Sequence, residues 1–198
     1  MKNLLVLSTL VVGLLSWSLA ATAADAAELP SIKQTRFGLY LDASQAYRMK
    51  EELKDKVLLV DVRTRYELAY VGMPTVADAH IPYVEHPFDA EWDAKAGRFV
   101  LEPNGDFGPE LARRLASKGL SKSDPVILIC RSGDRSSRAA NLLKDLGFEK
   151  VYTVVDGFEG DLAKDGPNAG KRVINGWKNA GLPWSYKLEK EKLYFPKY

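Results

Sequence analysis

Residues Val126–Leu143, "VILICRSGDRSSRAANLL", decide how the rest of the chain is read. The run Val126 to Ile129 is short, continuous and apolar, which suits a strand buried on both faces of a parallel sheet. It stops at Cys130, the single cysteine of the 198-residue chain. Small and charged residues follow. A helix is predicted from about Ser136, with serine caps, an apolar face of Ala139, Leu142, Leu143 and Leu146, and a stop at Gly147. That order puts a thiol at the carboxyl end of a strand, where ligands bind in open α/β sheets.

Working outward, "VLLVDV" (57–62) and "KVYTVVD" (150–156) repeat the buried-strand style. "GPELARRLASKGL" (108–120) reads as a helix burying Leu111, Leu115 and Ala112, and a further helix is predicted over "RVINGWKNAG" (172–181), before an extended "LPWSY". Alternating strands and helices imply an α/β fold, an open, mainly parallel five-stranded sheet flanked by helices. Stretches 87–108 and 160–170 are rich in Pro, Gly, Asn and Asp without period and read as surface loops. The tail, 187–198, mixes charge with three aromatics, so it either docks onto the domain or binds a partner.

The chain has one lysine near its start, an apolar run from Leu4 to about Leu19 and then small residues, the layout of a secretory signal over residues 1–27. Export to a periplasm is therefore expected, with no membrane contact after cleavage; an uncleaved anchor is the alternative, since the run approaches a bilayer span. Lys and Arg total 28 against 26 Asp and Glu, a net +2 that argues against a nucleic-acid partner. A lone cysteine in an exported chain forms no internal disulfide, so a free thiol there needs a reason.

The residues after the thiol supply one. Arg131, Ser132, Gly133, Asp134, Arg135 and Ser136 form a loop entering a helix, so backbone N–H groups can converge on the sulfur with the positive end of the helix dipole behind them. Arg131, Arg135 and Arg138 outnumber Asp134, and such surroundings favour a thiolate, the nucleophilic form of cysteine. The cradle suits an anion: a phosphate, a thiosulfate or the terminal sulfur of a persulfide. Four residues separate Cys130 from Arg135, one fewer than in a protein tyrosine phosphatase, which makes a tighter cup better matched to sulfur. Asp61 and Arg63 end a strand on the same side, and Arg63 with Glu67 at i, i+4 is predicted to form an ion pair that fixes the loop. His80 and His86 are the only histidines, too few for a zinc site with one cysteine; a Cys/His hydrolase would need one of them beside Cys130.

Together, "LICRSGDRSSRAA", "VLLVDVRTRYELA" (57–69), "AHIPYV" (79–84) and "VYTVVDGFEG…VINGWKNAGLPW" resemble the rhodanese-like sulfurtransferases, in the family's order, over about residues 42–186. Residues 28–41 then form an N-terminal extension. The resemblance implies the rhodanese-like fold, Cys130 as a nucleophile that takes sulfane sulfur from a donor such as thiosulfate and passes it to cyanide or a thiol, and no metal or organic cofactor. By position, the amides of residues 131–136 would stabilise the persulfide while Arg131 and Arg135 attract the anionic donor. A carrier or anion-sensing module working with a protein partner is the alternative, through the 160–172 insert or the tail. Departures from the family are Ala79 where a glycine usually precedes "HIP", the lengthened "YVGMPTVAD", the insert after Gly160, and Asp134, whose charge opposes an anion.

Overall fold

The structure, a computed structural model, describes residues 29–196; the predicted signal segment, 1–27, lies outside them, as do Lys197 and Tyr198. In chain order come β1 (Tyr40–Leu41), α1 (Ala43–Leu53), β2 (Leu58–Asp61), α2 (Arg65–Val71), β3 (Met73–Pro74), β4 (Ala79–His80), β5 (Val84–Glu85), β6 (Trp92–Asp93), β7 (Arg98–Phe99), β8 (Glu102–Pro103), α3 (Phe107–Ser117), β9 (Val126–Ile129), α4 (Asp134–Asp145), β10 (Val151–Val154) and β11 (Trp184–Ser185). Five strands make one sheet in the order β1-β10-β9-β2-β4, every pairing parallel.

The central strands β2 and β9 are buried at every residue, as a two-sided sheet requires. Alternation along them splits the core. Leu58, Val60, Val126 and Leu128 meet Phe107, Leu111 and Leu115 of α3 and Ala139, Ala140 and Leu143 of α4. Leu59, Ile127 and Ile129 face the opposite layer with Ala46, Leu68, Phe158 and Trp177. Helix α1 turns Ala43, Ala46, Tyr47 and Leu53 inward, a face interrupted by Lys50. It starts because Asp42 and Gln45 form a reciprocal capping box, and because the buried Asp156 carboxylate accepts the Ala43 N–H at 2.9 Å.

Three expectations need correcting. Helix α4 begins at Asp134, ahead of its serines, with Gly133 at the cap; Ser136 and Ser137 instead turn back to donate to the Gly133 carbonyl at 3.0 and 2.8 Å. Its buried face is Ser136, Ser137, Ala139, Ala140 and Leu143, whereas Leu142 and Leu146 are 38% and 39% exposed. Residues 172–181 form turns rather than a helix. Gly176 has φ +94°, its N–H donates to Asp156, and the Asn175 side chain accepts from Asp161, so the backbone is held out of helical geometry.

The region read as one long loop, 87–108, contains the small antiparallel pair β6 with β7 and the strand β8, which pairs with β5 just before it. The tail docks: Arg114 donates to the carbonyls of Glu191 (2.6 Å) and Leu193 (2.9 Å), and Tyr194 Oη donates to Asp106 (2.8 Å). Among the described residues no helix is long and apolar enough to cross a membrane. The corrected face of α4 predicts that Leu143→Ala lowers unfolding free energy by about 2–4 kcal/mol and Leu142→Ala by less than about 1 kcal/mol. Urea denaturation of the two variants measures both.

Candidate active site

Cys130 follows β9 directly and its side chain is 1% exposed. The sulfur accepts the Gly133 N–H at 3.2 Å, and the thiol donates to Ser136 Oγ at 3.5 Å, whose own hydrogen goes to the Gly133 carbonyl. The loop thus wraps the sulfur with a backbone amide and a hydroxyl at the N-terminus of α4.

Packing forces this shape. Gly133 has φ +96°, and a Cβ there would lie 2.3 Å from the Val155 carbonyl oxygen, so no other residue fits. Gly157 comes as close from the other side, where a Cβ would stand 2.5 Å from the Arg131–Ser132 peptide. The segment after β10 then binds the cysteine loop edge to edge: Phe158 N–H donates to the Cys130 carbonyl (2.8 Å), and Glu159 and Gly160 N–H groups donate to the Arg131 carbonyl (3.0 and 3.3 Å).

The charges around the loop pair differently from the sequence expectation. Arg63 does not meet Glu67. It is wholly buried against Asp61 (Nη2 to Oδ2, 2.6 Å), donates to the Gly72 carbonyl and lies 4.0 Å over the Phe158 ring, leaving Nη1 without a hydrogen-bond partner. The physical reason is that α2 starts only at Arg65, so Arg63 is not on the helix and the i, i+4 spacing brings nothing together. Glu67 instead reaches the cysteine loop, taking both Arg135 nitrogens at 2.6 Å while it also accepts the Thr64 N–H. Burial would raise the Glu67 carboxyl, but Arg135 outweighs it and holds the group at about 2; burial would lower Arg135, and Glu67 overrides that, raising it.

Arg135 is therefore a structural cation of the loop, its fork already occupied, rather than a free donor-attracting group. Asp134 pairs with Arg138 at 2.9 Å, which offsets the charge expected to oppose an anion. Arg131 is exposed, and among the described residues its side chain has no hydrogen-bond or ion-pair partner. Ser132 is half-buried, with its backbone pressed by Gly157. Neither histidine hydrogen-bonds to Cys130: His80 Nε2 contacts the Arg63 carbonyl at 2.7 Å, and burial lowers its pKa, while His86 lies by the Tyr66 ring. The bracing residues Gly157 to Gly160 escaped sequence reading as part of the site. Their signal was the doubled glycine in "DGFEG" just beyond a strand end.

A Rhodanese-like domain family model matches residues 42–164. The chain belongs to the rhodanese-like family. An uncharacterized protein of Rickettsia prowazekii is 30% identical to this rhodanese-like chain over 144 residues, 73% of the chain and 94% of the relative. The thiosulfate sulfurtransferase GlpE of Tolumonas auensis is 44% identical over 41 residues, 21% of this chain and 39% of that protein. The crystal structure of Rv0390 from M. tuberculosis superposes with a TM-score of 0.56 at 30% identity, covering 75% of this chain and 97% of that one. Sulfur transfer is thus represented among the relatives.

Because the folded Glu67 carboxyl lies below its unfolded value of 4.5, its contribution to stability is complete above about pH 4.5 and is lost as pH falls toward 2. The shift corresponds to about 3 kcal/mol. Glu67→Gln should remove this acid-dependent loss and destabilise the protein at neutral pH by about 3 kcal/mol or more, since a buried guanidinium loses its partner. Unfolding midpoints measured from pH 2 to 7 test both.

Proposed function

We propose that this rhodanese-like protein is a sulfurtransferase working through a persulfide on Cys130. The observation that carries the reading is the sulfur of Cys130 held by the Gly133 N–H at the head of α4, in a loop too tight for a side chain at residue 133. The thiosulfate sulfurtransferase similarity supports the donor class.

In the first half-reaction the thiolate attacks the sulfane sulfur of thiosulfate. The new Cys130 S–S bond forms as the S–S bond of thiosulfate breaks, and the electron pair leaves with sulfite. In the second, cyanide or a thiolate attacks the terminal sulfur, giving thiocyanate or a low-molecular-weight persulfide and returning the Cys130 thiolate. Charge balances in both steps, and no redox partner or cofactor enters. Cys130 is the nucleophile; the amides of the loop, Gly133 first, bind the negative terminal sulfur as they bind the resting one. Glu67 and Arg135 act at one remove, by keeping the loop closed. The leader over residues 1–27 would deliver this chemistry to the periplasm.

A second reading, a carrier that hands its persulfide to a protein partner, is favoured by one feature: the 160–172 insert and the turn after it expose Leu162, Val173 and Ile174. Rapid multiple turnover with thiosulfate and cyanide alone would dismiss it.

Intact-mass measurement after thiosulfate should show the gain of one sulfur atom, absent in Cys130→Ser and reversed by cyanide. A gain that persists in Cys130→Ser, or no gain from any sulfane donor, overturns the proposal.

A further inference from the structure

The family model begins at residue 42, so the N-terminal extension, 28–41, lies outside the part of the chain that it covers. One residue of the extension is nevertheless built into the surroundings of the cysteine loop. Lys33 ends a short 3-10 turn, Ser31–Lys33, and its side chain is only 12% exposed. The ammonium donates to the Val155 carbonyl at 2.9 Å and to Asp161 at 2.8 Å, and the Lys33 carbonyl accepts the Ser137 hydroxyl at 2.8 Å. A single lysine thus bonds the segment after β10, the insert and the first turn of α4.

Two of these contacts bear on one peptide, that of Gly133. The Val155 N–H still pairs with the Leu41 carbonyl at the sheet edge, but the Val155 carbonyl is the group that residue 133 presses against. A backbone carbonyl packed against a turn needs a donor, and Lys33 supplies one. From the other direction, the Ser137 hydroxyl has one hydrogen and two acceptors, the Lys33 and Gly133 carbonyls, each at 2.8 Å. The Ser136 hydroxyl also donates to the Gly133 carbonyl, at 3.0 Å, while it accepts from the Cys130 thiol. When the thiol loses its proton to solvent, that last bond must reverse, with Ser136 donating to the sulfur. Ser137, held beside Gly133 by the Lys33 carbonyl, is placed to take over at the carbonyl that Ser136 leaves.

We propose that Lys33 is a positioning residue for the Cys130 thiolate, and that the N-terminal extension is through it a working part of the cysteine cradle. Its ammonium fixes the carbonyl around which the loop bends, and so keeps the Gly133 N–H on the sulfur. The inference goes beyond the sulfurtransferase reading, because it concerns the thiol before any donor arrives. The same extension carries its own control. Arg36 docks it on the outer side of α4, its N–H donating to Asn141 at 2.8 Å and its guanidinium pairing with the exposed Asp145 at 2.8 Å. Such an exposed pair contributes little, and it bonds to no residue of the cysteine loop.

The test reads the thiol and the amide that serves it in the full chain, where Cys130 is the single cysteine. Lys33→Met should slow alkylation of Cys130 by iodoacetamide at pH 7 about three- to tenfold. It should also speed hydrogen exchange of the Gly133 amide while the β9 amides keep their protection. Lys33→Arg, which still presents a donor to the Val155 carbonyl, should restore most of both. Ser137→Ala should slow alkylation in the same direction and decides the matter where Lys33→Met fails to fold. Arg36→Gln should change neither readout. Unchanged alkylation and Gly133 exchange in both Lys33→Met and Ser137→Ala, an equal loss in Arg36→Gln, or exchange that rises equally across β9 overturns the proposal. Slowed alkylation with no persulfide formed from any donor would leave Lys33 in this role and overturn the sulfurtransferase reading; persulfide formation with both readouts unchanged would do the reverse.

Discussion

A carbonyl oxygen, that of Val155, lies 2.3 Å from where a side chain on residue 133 would begin, and the site depends on that contact. It obliges residue 133 to be glycine, and the left-handed backbone that only glycine adopts cheaply turns the amide of residue 133 toward the sulfur. The same packing fixes where α4 starts, and the helix in turn supplies the dipole behind the sulfur. The residue that follows β10 therefore shapes the cradle of Cys130, by setting the position of the peptide that the cysteine loop must bend around.

Burying guanidiniums near a nucleophile is costly unless each has a partner, and the fold meets the cost with carboxylates from other elements. Asp61 comes from β2 and Glu67 from α2. Both arginines are locked by forked contacts, so their charge sets geometry more than it attracts solutes. The pairing of Glu67 with Arg135 also ties α2 to α4 across the carboxyl end of the sheet. A loop fastened on one side by an ion pair and on the other by three backbone hydrogen bonds is pre-organised before any donor arrives.

Much of this was legible in the chain. The run Val126 to Ile129 ending at a solitary thiol, then glycine, arginine and serine, places strand, loop and helix because each signal is local. The strands at 58–61 and 151–154 are read the same way, from continuous apolar β-branched runs. What stayed hidden is non-local. Glu67 and Arg135 lie 68 positions apart, and the nearer Arg63 offers a spacing that means something only inside a helix. The inward face of α1, Ala43, Ala46, Tyr47 and Leu53, is interrupted by Lys50, so Asp42 and Gln45 are its clearest local signal. The turns at 172–181 look helical by composition, but Asp156 and Asp161, from the segment after β10, capture the backbone and side chain that a helix would need. On α4 the alanines and Leu143 are buried and Leu142 is not, because Leu142 lies on the side of the helix turned away from the sheet.

The edge of the sheet has a consequence for how the protein comes into being. Strand β1 pairs with β10 alone, Tyr40 opposite Thr153 and Leu41 opposite Val154. Asp156, just beyond, holds the first turn of α1. Both partners of the N-terminal elements are thus made late. As the chain leaves the ribosome, β1 has nothing to pair with until the last strand of the sheet has emerged, and the cysteine loop, which can already reach Glu67, lacks its backbone partners until the residues after it are out. Closure of the sheet and completion of the thiol cradle are then one late event, and a nascent chain stays unlocked over most of its length.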